Sequence, residues 1–124
     1  MPEDFWQGLE QFNRQDFYAC HDTLEALWME AQQPLRFFYQ GILQLAVAYY
    51  HLGNDNWQGA VTLLGQGIQR LDYFLPEYMG VDVESLVTAS EKILERLHEL
   101  EGQDLKEFQF TLPKVDYRRE TPKN

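Results

Sequence analysis

The chain has a single cysteine, Cys20, which excludes an internal disulfide and a multi-thiolate metal site. Cys20 falls in a helical pattern where small buried residues belong, and it reads as core filler. Basic residues are scarce: 10 Lys and Arg stand against 20 Asp and Glu, a formal net charge of −10. The imbalance is uneven, because residues 114–124 hold four basic and two acidic side chains, leaving −12 on the remainder. Such a body repels phosphate backbones, so no nucleic-acid partner is expected, and the short basic tail is too small to reverse that. No apolar run reaches the ~20 residues that a membrane span requires. The opening residues, MPEDFW, carry acids where a signal peptide has a basic region and an apolar run, so the expected setting is cytoplasmic. Nor is there a phosphate-cradling loop, since Gly65-Gln66-Gly67 lies inside a helical pattern rather than after a strand.

What the chain does have is apolar and aromatic surface. A content of 44% hydrophobic and 15% aromatic residues in 124 positions is enough for one core. The expectation is a single domain over residues 1–113, followed by a charged tail over 114–124 without an apolar period, read as mobile. The longest nearly apolar stretch is PLRFFYQGILQLAVAYYHL, Pro34 to Leu52. It predicts a central helix whose neighbours cover most of its circumference. Arg36, Gln40, Gln44 and His51 interrupt it, and at about 100° per residue they fall within an arc of roughly 80° that also contains Val47. The central helix therefore carries one polar stripe.

The rest of the chain reads as helices joined by short turns. Pro2, Glu3 and Asp4 suit a helix start, and Phe5, Trp6, Leu9 and Phe12 give the first helix an apolar stripe. Asn13-Arg14-Gln15-Asp16 is a polar turn, with Asp16 a candidate N-cap for a second helix over Phe17 to Gln32. Gly53 ends the central helix, and Asn54-Asp55-Asn56 offers cap oxygens for a fourth whose apolar stripe runs from Trp57 to Leu75, stopped by Pro76. Gly59, Gly65 and Gly67 weaken that helix, which points to close approach of another backbone. After a loop over residues 77–81, Asp82 caps a fifth helix that ends at Gly102, with Glu91, Lys92, Glu95, Arg96 and Glu99 as its solvated face. Phe108, Phe110 and Leu112 alternate with polar residues, which predicts an extended strap laid on the bundle. A shift of 40 residues aligns Phe17 with Trp57, Ala19 with Gly59, Cys20 with Ala60 and Leu24 with Leu64. Two helical hairpins built alike follow, with a distant likeness to tetratricopeptide-type repeats.

The segments FNRQDFYACHDTLEALW and LRFFYQGILQLAVAYYHLGNDNWQGAVTLL resemble a family catalogued as domain of unknown function 309. The motif positions are His21, Glu25, Trp28, Arg36, Gln40, Gly41, Gln44, His51, Gly53, Asn54, Gly59 and Ala60, with Asp22 where glutamate is usual. The resemblance covers residues ~8–75 and implies an all-α fold, a compact bundle of about five helices. It implies no activity.

The candidate site is the polar set His21, Glu25, Arg36, Gln40, Gln44 and His51. His21 and Glu25 share one helix face, being four residues apart, and their helix is expected to pack antiparallel to the central one. The preferred reading is a buried network, with Glu25 hydrogen-bonded to Arg36 directly or through one side chain, that fixes helix register. The second is a pocket for a small ligand or peptide. The third is a metal-dependent hydrolytic or redox site using His21, Glu25 and His51. His-Asp-Thr-Leu-Glu has a superficial likeness to a zinc-protease helix, but Glu25 replaces the second histidine. Neutral amides such as Gln40 and Gln44 are seldom transition-metal ligands, so no metal and no cofactor is expected. Cys20 and His21 are sequence neighbours that point ~100° apart on a helix, which rules out a nucleophile–base pair. The functional expectation leans away from an enzyme, toward a module that binds a protein partner, a second copy of itself or a small ligand.

Overall fold

The computed structural model describes residues 1–119, so the part of the expected mobile tail at 120–124 lies outside the described residues. Five α-helices appear among them: α1 (Glu3–Asn13), α2 (Phe17–Glu30), α3 (Leu35–Gly53), α4 (Trp57–Leu71) and α5 (Val83–Glu99). Each packs on the next in sequence, and α3 is held between α2 and α4. The result is the all-α bundle of stacked hairpins that the periodicity demands. Phe38, Ile42, Leu45 and Tyr49 of α3 are almost wholly buried, together with Phe5, Leu9 and Phe12 of α1 and Leu64 and Leu71 of α4. Tyr49 and Ser90 satisfy each other in this core, their oxygens 2.6 Å apart, and burial pushes the Tyr49 phenol well above its usual range.

The two hairpins share their turn geometry. Gln15 and Asp55 both have positive φ, at 64° and 58°. The amides of Asp16 and Asn56 each donate at 2.9 Å to the carbonyl five residues back, Gln11 and His51. The offset of 40 residues is thus a structural repeat of the α1–α2 and α3–α4 turns. They differ at the cap: Asn56 Oδ1 accepts from the Gly59 amide, whereas the Asp16 side chain makes no cap bond, contrary to its expected role.

Two segments depart from the sequence reading. Residues 77–81, expected as a loop, hold a small antiparallel hairpin, β1 (Glu77–Tyr78) and β2 (Val81–Asp82), paired Glu77 to Asp82 and Tyr78 to Val81. Met79 and Gly80 both have positive φ, as a two-residue hairpin turn of matching twist requires. Its Tyr78 ring packs on Phe38 and Phe74 at centroid distances of 4.8 and 4.6 Å. The strap, expected to end at Pro113, continues along the body to Arg119. Val115 is 2% exposed, Asn13 donates to its carbonyl (3.0 Å) and accepts from its amide (2.7 Å), and Tyr117 stacks on Trp6 at 5.4 Å. Residues 114–119 are therefore part of the packed body. The apolar period could not show this: its next positions, 114 and 116, are Lys and Asp, and Val115 and Tyr117 stand out of its register after Pro113.

Asp82 ends β2 and caps α5, accepting from the Ser85 amide at 3.0 Å and the Ser85 hydroxyl at 2.7 Å. These bonds favour the carboxylate and hold its pKa below the usual value. A depressed folded-state pKa means the stabilisation is complete above the unfolded value, 3.8, and is lost as pH falls through the folded one. Asp82→Ala should cost ~1 kcal/mol at neutral pH, as cap removals do. In chemical denaturation at stepped pH, that difference should shrink below the ordinary carboxylate range.

Candidate functional site

The polar stripe of α3 does not form one network. Arg36, Gln40, Val47 and His51 are half-buried while their flanking neighbours Phe38, Tyr39, Ala46 and Ala48 are buried, so the stripe is the side on which α3 emerges between α2 and α4. Its members serve three separate places.

At the start of α3, the Arg36 guanidinium lies 4.3 Å from the centre of the Trp28 ring. This cation–π contact replaces the expected pair with Glu25, whose side chain is 47% exposed and faces His21 instead. An exposed carboxylate has water as its competitor, so little is gained by drawing Arg36 off an aromatic face. Midway along, Gln44 is 8% exposed and bridges to α4: its amide donates to Gln66 Oε1 at 3.2 Å, and its carbonyl accepts from Arg70 at 3.0 Å. Gln66 and Arg70 escaped the sequence reading. They fall four apart on one face of α4, but nothing in the chain indicates that Gln44 turns toward them. Gln40 has no side-chain hydrogen bond among the described residues and is half-buried.

The third place brings the two histidines to one cleft. Phe17, Tyr18 and His21 from α2 meet Val47, Tyr50 and His51 from α3 around a volume of about 140 Å³. Tyr18 and Tyr50 form its open lips, 60% and 41% exposed, with ring centroids 5.7 Å apart. His21 has a carboxylate at each ring nitrogen, Glu25 at 3.0 Å from Nε2 and Asp22 at 3.3 Å from Nδ1. His51 is fixed from the opposite side. Asn56 Oδ1 takes the Gly59 amide hydrogen, so its Nδ2 donates to His51 Nδ1 at 3.3 Å and leaves Nε2 to carry the ring proton of the neutral form. A Cβ on Gly59 would come within 2.8 Å of the His51 ring. Glycine there is what lets the imidazole lie against the start of α4. The turn residues Asn56 and Gly59 thus set one wall of the cleft, although the sequence suggests only helix punctuation for them. Tyr18 stands one turn before His21, a spacing that could have flagged it.

His21 and Glu25 meet as their i,i+4 spacing allows, but His51 is committed to Asn56. Among the described residues, no group of three or more His, Cys, Asp and Glu side chains is placed to hold a metal ion. The His21, Glu25 and His51 triad is therefore not assembled in this conformation. Cys20 beside them is buried, and burial raises its thiol to about 12, far from a thiolate at neutral pH.

These residues are also where the likeness to known proteins is concentrated. Residues 5–63, which contain α1, α2, α3 and the start of α4, match the family described as "Domain of unknown function (DUF309)". The match covers 59 of the chain's 124 residues. The chain is also 30% identical over 100 residues to the "Uncharacterized protein YpuF" of Bacillus subtilis (strain 168), an alignment covering 77% of this chain. It spans 58% of that protein's length. The DUF309 match encloses both turns of the repeat and all six cleft residues, while α5, the β-hairpin and the strap lie beyond it. No helix among the described residues is long and apolar enough to cross a membrane.

Proposed function

We propose that this protein is a non-enzymatic recognition module whose α2–α3 cleft receives a single apolar side chain, aromatic or branched aliphatic, from a partner protein. The observation that supports this most is the cleft's size and lining together. Free small-molecule sites typically span ~300–1,000 Å³. The cleft, at about 140 Å³, is instead close to the ~150 Å³ cavity that holds a benzene-sized group. Its walls are two tyrosines, a phenylalanine, a valine and two imidazoles, and exposed tyrosines are favoured anchors at protein contacts because they bring large area at low entropic cost. Asp22 and Glu25 beside it would favour a basic residue next to the anchor on the partner.

A nuclear magnetic resonance titration with p-cresol, a mimic of one aromatic side chain, tests this reading. Saturable shifts at Tyr18, His21, Val47, Tyr50 and His51 are expected, with a Kd on the order of 1 mM for so small a probe. Val47→Phe, which fills the cleft from a half-exposed position, should abolish them. Shifts that are absent at millimolar probe, or that persist unchanged in Val47→Phe, would remove the basis for the proposal.

A further inference from the structure

A second surface shares no residue with the cleft. Between α4 and α5 the body opens into a groove of about 620 Å³, with Ile68 and Leu94 on its apolar floor and Glu91, Glu95 and Glu99 along one edge. His98 also lines it, its ring packed edge-on against Trp57, whose Nε1 donates to the Leu97 carbonyl at 2.6 Å. We propose that this groove docks a basic amphipathic helix of a partner protein.

The first support comes from the three glycines of α4. Gly59 makes room for His51, and a Cβ on Gly67 would lie 2.9 Å from the Gly41 carbonyl oxygen, so both serve contacts within the fold. Gly65 serves none: a Cβ there meets nothing within 4 Å, and its bare backbone forms part of the groove. Glycine weakens a helix interior, and its use where nothing in the chain approaches fits a position kept clear for an incoming element.

The second support is charge. Glu91, Glu95 and Glu99 recur at i, i+4 and i+8, a row about 12 Å long at the helical rise. None of the three is in an ion pair among the described residues. Neither Lys92 nor Arg96 of α5 is in an ion pair with the row. Arg96 turns to the Gln109 carbonyl and the Phe110 ring, and Lys92 lines a different depression. A helix with Lys or Arg at the same spacing and leucines on the adjoining stripe would match both the edge and the floor. A second copy of this chain is a poor occupant, since each carries a formal charge of −10.

The test uses the full chain and a capped 16-residue peptide, with leucines at helical spacing flanked by lysines. Its controls are the same peptide with glutamates for lysines, and spermine as a probe of charge alone. Binding followed by fluorescence anisotropy should be seen for the basic peptide only. It should weaken about tenfold or more in the Glu91→Gln, Glu95→Gln, Glu99→Gln triple variant, and equally in Gly65→Leu, which keeps every charge but occupies the groove. Thermal melting of Gly65→Leu at or above the wild-type temperature would show that the loss is not unfolding. Val47→Phe should bind the peptide as wild type does. Undiminished binding to Gly65→Leu, complete displacement by spermine, or loss in Val47→Phe would each overturn the proposal, the last by placing the peptide in the α2–α3 cleft.

Discussion

Truncation after Pro113 is expected to lower stability by ~2–3 kcal/mol, more than any single surface substitution in this chain should. Val115 is almost fully buried, and a side chain of its size contributes ~1.5–3 kcal/mol on leaving water. Its two bonds to Asn13 add a net ~1 kcal/mol each, and the Trp6–Tyr117 stack ~0.5–1.5 kcal/mol. The entropy of holding an extended segment offsets a large part of this sum. The loss spreads further, because the Arg118 amide donates to the Gly80 carbonyl at 2.7 Å, the Asp82 amide donates to the Asp116 carbonyl at 2.9 Å, and Arg119 pairs with Glu3. The β-hairpin and the start of α1 would lose their cover together. Urea unfolding of the truncated chain measures the effect, and Val115→Ala alone should reproduce ~1–2 kcal/mol of it. A truncated chain as stable as the full one would mean the strap is not packed beyond Pro113.

Gly67→Val is expected to cost ~3 kcal/mol, at the upper end for overpacking a tight interface. A Cβ at this position would lie 2.8 Å from Leu45 Cδ2 and 2.9 Å from the Gly41 carbonyl oxygen. The leucine end can swing away, but the carbonyl belongs to α3 itself and moves only if α3 and α4 separate. Gly41 is tight as well but less constrained, since its own Cβ would meet only side-chain atoms, those of Leu71 at 2.8 Å. The opposite sign is expected two residues away: Gly65→Ala meets nothing and should gain ~1 kcal/mol of helix propensity. Paired urea curves for the two variants measure both effects. A Gly67→Val chain as stable as wild type would show that α3 and α4 do not approach so closely.

The contrast shows how far sequence reasoning reaches. Three glycines within residues 59–67 indicate that something comes close to α4, and α3 does so at Gly67. They do not reveal that the three face three different things: an imidazole, a backbone and an open groove. The five helices and the repeat were legible because each rests on local periodicity and turn chemistry, both written within a few residues. The hairpin at 77–82 was not, since each strand has two residues and no alternation can be read from two. The polar set was legible as a set and misread as one network. Periodicity places Arg36, Gln40, Gln44 and His51 on one side of α3, but the choice among Trp28, Gln66 and Asn56 as partners depends on how neighbouring helices cross it. The Glu25–Arg36 pair failed for a physical reason: a carboxylate at the surface gains more from the adjacent His21 and from water than from an arginine already stacked on an indole.

The central claim is that His21 and His51 line a cleft for one apolar side chain. Intermolecular nuclear Overhauser effects from p-cresol to the protein test it most directly. Cross-peaks should run from the p-cresol ring and methyl protons to the Val47 methyls, the Tyr18 and Tyr50 rings and the imidazole protons of His21 and His51. Cross-peaks to any other part of the surface, with none to these residues, would contradict the account.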